Sequence, residues 1–508
     1  MTQVLEDQTP AMRNKDNALP GWVSAAQCFE EESAVHHPAD ATQAGGPAQS
    51  NQPAAPDRGW GWVVVAANMA LSMVLAVLMG LSIFYTELQA EFHVRNTETS
   101  WVPAIISTIM HSAGLLCSMS QERFGCRATV MLGGLLSGLA MSIASLARTI
   151  THIYITGAIT GLGLCLAHQA SFTIIGHYFQ QRLVFANALS SIGQAVGMSV
   201  APLMSNALLG QFGWRGSFLI MGGILLNSCV CGALMRPVAS GPNKPKHTQV
   251  TDRSDNLSQQ QETKGPKDRV TTAIGGFIAY LRRHMAFDLL VSSAYYRVLT
   301  IGMTLLSLGY AVPFIFLVPY ATHHNISMDR AALLMSIMGQ VNIAMRPIAA
   351  LILGLPCFSG GRVVVYVYAG SVVLGGLSNC ICGASASFVA LLLYVVIFSL
   401  SYSVLMTVVV SVLMTNVEMS RFPAAMALKS MMESVTILLG PPLAGFVVDY
   451  TGQYSYIFYA SSLCVTSAGL YIGGSFYYLD TILKRDKEEE RENTRTPSDL
   501  QQRPAEVA

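Results

Sequence analysis

Residues 56–84 read PDRGWGWVVVAANMALSMVLAVLMGLSIF, and this stretch decides the class of protein. After Asp57 and Arg58 the run contains no charged side chain. About 20 apolar residues are enough for an α-helix to cross the hydrocarbon core of a bilayer. Trp60 and Trp62 stand where the run begins, and because tryptophan is enriched at membrane–water interfaces, both are predicted to be interface anchors. The stretch therefore predicts a membrane-spanning helix.

The composition extends this prediction to the whole chain. Of the 508 residues, 52% are hydrophobic and only 12% are charged, whereas a typical soluble domain has about 25% charged residues. The formal net charge of +1 provides no field that would attract a nucleic acid. We therefore predict an all-α membrane protein with twelve transmembrane helices. The predicted helices lie at about 60–84, 101–120, 128–147, 151–176, 185–209, 215–235, 298–320, 331–353, 363–384, 387–413, 424–448 and 455–478.

Polar and charged segments divide the chain into five parts. They are a disordered tail (1–59), a first six-helix half (60–235), a linker (236–297), a second six-helix half (298–479) and a C-terminal tail (480–508). Cytoplasmic loops carry an excess of Lys and Arg, so both tails and the linker are predicted to be cytoplasmic. Outside the linker and tails, that side holds Arg123, Arg127, Arg182, Arg362 and Arg421, against Arg95, Arg148, Arg215 and Arg330 in the outer loops.

The two halves also share a sequence pattern at one constant offset. Such a pattern indicates a duplicated six-helix unit, which predicts a substrate site between the halves near the middle of the membrane. The matched pairs are Arg123 with Arg362, Arg182 with Arg421, Ala186 with Ala425, Ala188 with Ala427, Leu189 with Leu428, Ser191 with Ser430, Pro202 with Pro441 and Gly213 with Gly452.

Four motifs carry a family resemblance. DRGWGW (57–62) resembles the signature that opens the first helix of monocarboxylate transporters, a branch of the major facilitator superfamily. ERFGCR (122–127) is similar to the superfamily's loop motif between helices two and three. GHYFQQRLVFANALSSIG (176–193) and RFPAAMALKSMMESVTILLGPPLAG (421–445) resemble the family's fifth and eleventh helices. ETSW, RFGCRATVMLGG and CGALMRPV look most like the monocarboxylate transporter 6 branch.

The resemblance implies a fold, an activity and partners. The fold is the major facilitator fold, with two pseudo-symmetric six-helix halves. The activity is secondary transport of monocarboxylates, or of larger amphipathic organic anions, across the plasma membrane by alternating access. The partners are a small organic acid, H+ in coupled relatives, the lipid bilayer and, as in some relatives, a single-span chaperone glycoprotein. A gating role is implied for the matched positions Asp57, Glu122, Arg123, Arg127, Arg182 and Arg362.

One departure from the family bears on mechanism. The proton-coupled lactate carriers, which this chain resembles, carry substrate and proton with a Lys in helix one and an Asp/Arg pair in helix eight. Here helix one has no Lys, and the matching place is near Met79 or Gly80. In helix eight Arg346 matches the family Arg, but Asn342 stands in place of the Asp. Because Asn cannot ionise, proton coupling through this pair is not expected.

Arg346 is the first candidate for substrate contact. A guanidinium within an apolar helix costs about 2.5–3.5 kcal/mol on insertion scales, and its fork suits a carboxylate. The alternative is that Arg346 extends to the interface or pairs with Glu433. Asn342 lies one turn earlier on the same face and is either a polar substrate contact or a helix–helix hydrogen bond. Phe398 and Tyr402 share a face of helix ten and would line an apolar pocket or simply form aromatic core.

Four further residues could carry a proton or form ion pairs. Lys429 and Glu433 are spaced i,i+4 in helix eleven, which suits either an internal ion pair or a relay. His111 and His168 lie in predicted helices two and four, and imidazole titrates near physiological pH. Each histidine could instead be a neutral helix contact. The sequon at Asn325 lies in a short predicted outer loop, close to the bilayer.

Other classes of function find less support in the sequence. No nucleophile–base set, cofactor motif or metal-ligand spacing occurs, so an enzyme is not expected. Two alternatives stay open, a facilitative carrier of neutral or zwitterionic, amino-acid-like solutes, and a membrane sensor or scaffold that transports nothing.

Overall fold

The computed structural model describes residues 59–179, 183–236, 287–353, 361–418 and 421–493, and the regular elements within these ranges are helices. A helix satisfies its backbone N–H and C=O groups internally, as a segment in water-free hydrocarbon requires. Asp57 and Arg182 lie outside the described residues, as do most of the predicted tails and linker.

Fourteen α-helices and one 3-10 segment make up the described part of the chain. The 3-10 segment covers Ala76–Phe84 and joins the first two helices. The helices are α1 (Trp60–Leu75), α2 (Tyr85–Phe92), α3 (Asn96–Ser112), α4 (Gly114–Ala144), α5 (Ile150–Tyr178), α6 (Leu183–Leu234), α7 (Phe287–Ser292), α8 (Ala294–Tyr310), α9 (Val312–His323), α10 (Met328–Leu353), α11 (Gly361–Ala384), α12 (Phe388–Met414), α13 (Phe422–Thr451) and α14 (Ser455–Asn493).

Ten stretches of helix among the described residues are long and apolar enough to cross a membrane. Two of them contain a glycine with non-helical backbone angles, Gly125 in α4 and Gly213 in α6. The chain turns at these glycines, and α3 leads into the first part of α4. Counted in this way, the helices give the twelve segments expected from the sequence.

The turn at Gly125 follows from distances across it. Gly125 has φ 80° and ψ 160°. In a straight helix, residues nine positions apart are separated by about 13 Å. The hydroxyl oxygens of Ser120 and Thr129 are instead 3.1 Å apart. The chain therefore folds back at Gly125, where a residue with a side chain would be strained by the positive φ.

The duplication is visible in the backbone as well as in the sequence. Gly213 and Gly452, one of the matched pairs, have φ values of 64° and 69°. Each glycine follows a long helix, the first part of α6 in one half and α13 in the other. Both positions thus use a positive φ, although their ψ values differ, with 179° at Gly213 and 5° at Gly452.

The structure differs from the expected boundaries at three places. The first membrane segment continues through the 3-10 segment and α2 to Phe92, rather than ending near residue 84. A short helix, α7, lies within the expected linker. At the other end α14 runs to Asn493, into the expected C-terminal tail. At α2 and α14 polar residues extend a helix beyond its apolar run, where composition alone gives no signal, whereas α7 is a separate helix of six residues.

Glycines let several helices meet backbone to backbone. A Cβ atom added at Gly193 of α6 would lie 2.0 Å from the carbonyl oxygen of Met69 in α1. One added at Gly339 of α10 would lie 2.3 Å from the amide nitrogen of Ser199 in α6. Small residues at such crossings are the usual basis of packing between membrane helices. The second contact joins the two halves of the molecule.

Replacing Gly193 with Ala should destabilise the protein by about 1–3 kcal/mol, because the added methyl group meets backbone that cannot rotate away. Thermal unfolding of the purified protein in detergent measures the effect. Gly223→Ala is the matched control, since no atom lies within 4 Å of its Cβ position, and it should leave stability unchanged or slightly higher. Equal unfolding temperatures for the two variants would contradict the α1–α6 contact.

Candidate functional site

A cavity of about 230 Å³ lies between the two halves of the bundle. The first half contributes α1, the 3-10 segment, α2, α3, α5 and α6, and the second half contributes α9 and α12 with the residue before α9. Most of the wall is apolar, and Leu78, Val102, Ile106 and Phe314 are typical of it. Polar side chains in the wall include Ser72, Ser82, Tyr85, Thr99, Ser107, His168, Gln194 and Tyr402.

Arg346 of α10 is half-buried beside this cavity. Its Nη1 donates to the carbonyl oxygen of Ser191 in α6 at 3.5 Å. Its Cζ atom lies 5.8 Å from the centre of the Tyr402 ring, and Tyr402 is part of the cavity wall. The Nε of Arg346 is buried without a hydrogen-bond partner. A buried donor without an acceptor costs about 1–3 kcal/mol. The unpaired Nε therefore favours binding of a ligand that supplies a hydrogen-bond acceptor.

Asn342 is engaged within the bundle. Its side chain is fully buried, its Nδ2 donates to the Met338 carbonyl oxygen at 2.8 Å, and its Oδ1 accepts from the Ser403 hydroxyl at 2.9 Å. The second bond joins α10 to α12, which matches the helix–helix alternative considered from the sequence. A substrate contact by Asn342 stays a prediction.

Phe398 and Tyr402 belong to an aromatic cluster on the second half. Tyr310 stacks on Tyr402 with ring centres 5.8 Å apart, and Phe314 meets Tyr402 edge-on at 5.5 Å. Phe398 packs against Tyr310 at 5.4 Å and is buried within the cluster. Tyr402 and Phe314 reach the cavity wall, so the cluster supplies one apolar side of it. Sequence reasoning did not single out Tyr310 and Phe314, which resemble ordinary core residues.

Lys429 and Glu433 form an ion pair in α13. The Nζ–Oε2 distance is 2.8 Å, and the two side chains are 9% and 13% exposed. This is the internal ion pair that the i,i+4 spacing suggested as one alternative. Removal of one partner from such a buried pair typically costs about 3–5 kcal/mol, because a charge is left unpaired. A role of Glu433 or Lys429 in a proton relay stays a prediction.

The two histidines have different surroundings. His168 lines the cavity, and its ring centre lies 4.9 Å from that of Phe172. His111 is exposed, with its Nδ1 2.7 Å from the carbonyl oxygen of Ser107. Only His168 of this pair is therefore placed where it could contact a molecule in the cavity.

Met79 and Gly80, the two positions that match the family lysine, have different surroundings. Met79 lines the cavity. Gly80 packs against α6, where an added Cβ would lie within 2.9 Å of the Ala201 carbonyl oxygen and closer still to Ser205. Among the described residues of the cavity wall there is no Lys, Arg, Asp or Glu. The charged guanidinium of Arg346 lies behind the ring of Tyr402, one side chain away from the cavity.

Near Tyr85 of the cavity wall, Asp449 of α13 reaches across to the first half. Its Oδ1 accepts from the backbone and side-chain amides of Asn96, both at 2.9 Å, and its Oδ2 accepts from the backbone N–H of Thr97 at 2.9 Å and its hydroxyl at 2.6 Å. A carboxylate at the N-terminus of α3 also meets the positive end of the helix dipole. We call these three residues the latch, and the end of the bundle where they lie the latch end.

Further contacts between the halves lie at the same end. Asn206 of α6 donates to Asp329 of α10 at 2.6 Å, and the hydroxyls of Ser199 and Ser336 are 3.4 Å apart. Tyr454 donates to the Asn96 side chain at 2.9 Å. The latch end is thus closed by two pairs of helices, α3 with α13 and α6 with α10.

The tryptophans of the opening motif make contacts at the opposite end. Trp60 is partly exposed and donates its Nε1–H to the Leu234 carbonyl oxygen at 3.0 Å. Arg236 stacks on its ring at 4.3 Å. Trp62 packs edge-on against Phe179 at 5.1 Å. The motif therefore joins the start of the first half to its end, and an anchoring role at the membrane interface stays a prediction.

The loop positions matched to the superfamily motif are exposed where they are described. Glu122, Arg123 and Arg127 surround the turn at Gly125, and Arg123 lies 5.6 Å from the Phe124 ring centre. Arg362, the counterpart of Arg123, pairs with Asp480 at 3.0 Å and stacks on Tyr295 at 4.2 Å. Their gating role is not tested by these contacts. The sequon residue Asn325 lies in an exposed left-handed turn with φ 61° between α9 and α10.

Comparison with known proteins agrees with this arrangement. The family model described as Major Facilitator Superfamily matches residues 62–356 and 360–505. The human protein "Monocarboxylate transporter 6" is 42% identical over 430 residues, which are 83% of this chain and 81% of that protein. Its mouse counterpart is 40% identical over 86% of this chain and 91% of its own. The chain belongs to the monocarboxylate transporter family of the major facilitator superfamily.

Within this family of transporters, which are not enzymes, other members are more distant. Human "Monocarboxylate transporter 2" is 34% identical over 88% of this chain and 92% of its own. Among solved structures, a peptide transporter of the POT type in complex with sulfate superposes with a TM-score of 0.64 at 13% identity, over 82% of this chain and 95% of that one. At this identity the likeness shows the fold alone.

Proposed function

We propose that this chain is a secondary transporter that moves monocarboxylates, including larger amphipathic organic anions, across the plasma membrane by alternating access. One observation carries the proposal, a cavity between the halves whose wall reaches Tyr402, with the unpaired Nε of Arg346 beside that ring. The names of the relatives that it resembles over more than four fifths of its length agree with this substrate class.

Arg346 is the proposed binding residue for the carboxylate. Its Nη1 donates to the Ser191 carbonyl oxygen, whereas its buried Nε has no hydrogen-bond partner and is one of the donors available to an anion. Hydrogen bonds between ionised groups are roughly twice as strong as neutral ones, and a desolvated arginine gains most from them. The apolar wall formed by Leu78, Val102 and Phe314 suits the hydrocarbon body of the substrate. An amphipathic acid satisfies both parts of the cavity.

The proposed orientation places the latch end outside the cell and both termini with the linker in the cytoplasm. Excess basic residues in the loops opposite the latch end support it. In this orientation the described conformation is closed to the outside by Asp449 and Asp329. The proposed units that move are the two six-helix halves, 60–235 and 298–479, which rock about the cavity.

We propose that transport is facilitative and needs no proton. Met79 lines the cavity where the coupled relatives have Lys, and Asn342, which replaces their Asp, is bonded to Ser403. Glu433 is already paired with Lys429. His168 is the imidazole in the described cavity wall, and a relay rebuilt on it would be the alternative.

Arg346→Gln should reduce uptake of radiolabelled 4-isopropylphenylacetate by about 100-fold, because a charged hydrogen bond of up to about 3 kcal/mol is lost. Initial rates are measured in proteoliposomes and corrected for empty liposomes. Arg330→Gln is the matched control, since Arg330 lies on the same helix but is exposed near Phe388. Normal uptake by the Arg346 variant would remove the proposed site.

Asp449→Asn should open the latch end more often, because an amide nitrogen cannot accept the two bonds from Thr97. With a cysteine in place of Thr99 in the cavity wall, labelling by an impermeant thiol reagent from outside right-side-out vesicles should be about tenfold faster. Background from the native cysteines is subtracted. Glu91→Gln is the control, since Glu91 pairs with Arg215 inside the first half. An unchanged labelling rate would contradict the latch.

An inward proton gradient at zero membrane potential should change the initial rate of 4-isopropylphenylacetate uptake by less than about twofold, because the cavity lacks the Lys and Asp of the coupled relatives. The measurement uses proteoliposomes with and without the gradient, against empty liposomes. Concentrative uptake driven by the gradient would show coupling and contradict the facilitative proposal. Its loss on replacing His168 would then identify the group that carries the proton.

A further inference from the structure

Gln194 is a cavity residue that neither the sequence motifs nor the family match assigns to any role. It lies on α6, and its side chain is part of the cavity wall. Its amide makes no hydrogen bond within the described residues, although it offers two donors and one acceptor. A free amide in a mostly apolar wall favours a polar partner, and no described side chain provides one.

The position of Gln194 relative to Arg346 follows from one contact. Arg346 reaches the carbonyl oxygen of Ser191, which lies one turn before Gln194 on α6. Residues i and i+3 share a face of a helix, with Cβ atoms about 5–6 Å apart. Side chains in a helix also lean toward its N-terminus, so Gln194 covers the turn that contains Ser191. Gln194 therefore lies on the face of α6 that Arg346 contacts, one turn from the Ser191 carbonyl oxygen.

We infer that Gln194 and Arg346 together form the carboxylate subsite, with the Gln194 amide donating to the carboxylate oxygen that Arg346 Nε does not bind. This rests on the proposed function. Arg346 Nη1 is occupied by the Ser191 carbonyl, so its guanidinium cannot offer every donor to the anion. Gln194 supplies a neutral donor in a wall where Met79 replaces the second cation of coupled relatives. A site with one cation and one amide fits a single carboxylate.

A negative charge in place of the Gln194 amide would change what the subsite can bind. Glu is close in size to Gln but carries a negative charge and no donor. In a Gln194→Glu variant, the new carboxylate would pair with Arg346 and occupy the place of the substrate carboxylate. Such a variant should lose substrate binding and keep its stability, because the buried guanidinium then has a partner. A residue that merely packs would not respond in this way.

Binding of 4-isopropylphenylacetate to the full chain in lipid nanodiscs, uptake kinetics and thermal unfolding test the inference. Gln194→Leu should weaken binding about tenfold and raise KM with little change in kcat. Gln194→Glu should weaken binding by about 100-fold, with an unfolding temperature equal to or above that of the wild type. Gln169→Leu and Gln169→Glu are matched controls, since Gln169 faces Gly114 outside the cavity wall and should leave binding unchanged.

Wild-type binding by either Gln194 variant would overturn the inference. So would a Gln194→Glu variant that loses binding together with its fold while Gln194→Leu binds normally. Arg346→Gln separates the two proposals. If it abolishes binding while both Gln194 variants bind as the wild type, only the role of Gln194 fails. If Arg346→Gln itself binds normally, the proposed function fails, whatever the Gln194 variants do.

Discussion

The exclusion of water from the hydrocarbon core is the constraint on which the rest of the structure depends. A polar group placed there must find its partner inside the bundle or remain a cost. Asn342 meets Ser403, and Lys429 meets Glu433, each within 3 Å. Arg346 differs from these pairs, because its buried Nε has no hydrogen-bond partner and belongs to a charged group. Unpaired hydroxyls and amides occur elsewhere among the described residues, but a charged donor left unpaired beside the cavity is the strongest place for an anionic ligand.

The two halves are held together in two physically different ways. Close backbone contact, as at Gly339 and Ser199, depends on small residues and short distances. The latch instead depends on four directional hydrogen bonds to one carboxylate, Asp449. Packed surfaces can slide or separate gradually, whereas a carboxylate on a helix terminus is either bonded or solvated. The latch therefore gives this end a defined bonded state, and separation of the halves there requires that all four hydrogen bonds be lost.

Local sequence patterns predicted the parts of this structure that depend on local spacing. Hydropathy located the membrane segments, and the i,i+4 spacing suggested the Lys429–Glu433 pair. The latch could not be found in this way, because Asp449 and Asn96 are 353 positions apart. Nor could Gln194, since an isolated amide in a helix carries no signal until its neighbour is known. What these missed residues share is a role that depends on neighbours distant in the sequence, which only the packing of the helices reveals.

The contact between Trp60 and Leu234 has a consequence for biosynthesis. It ties the first described helix to the last helix of the first half, and Arg236 adds a stacked cation at the same point. All three residues precede the second half in the sequence, and their contact needs no residue of that half. The first half can therefore join its two ends before the second half is synthesised. Assembly of the transporter then becomes the docking of the second half, which is synthesised later, onto a first half whose two ends are already joined.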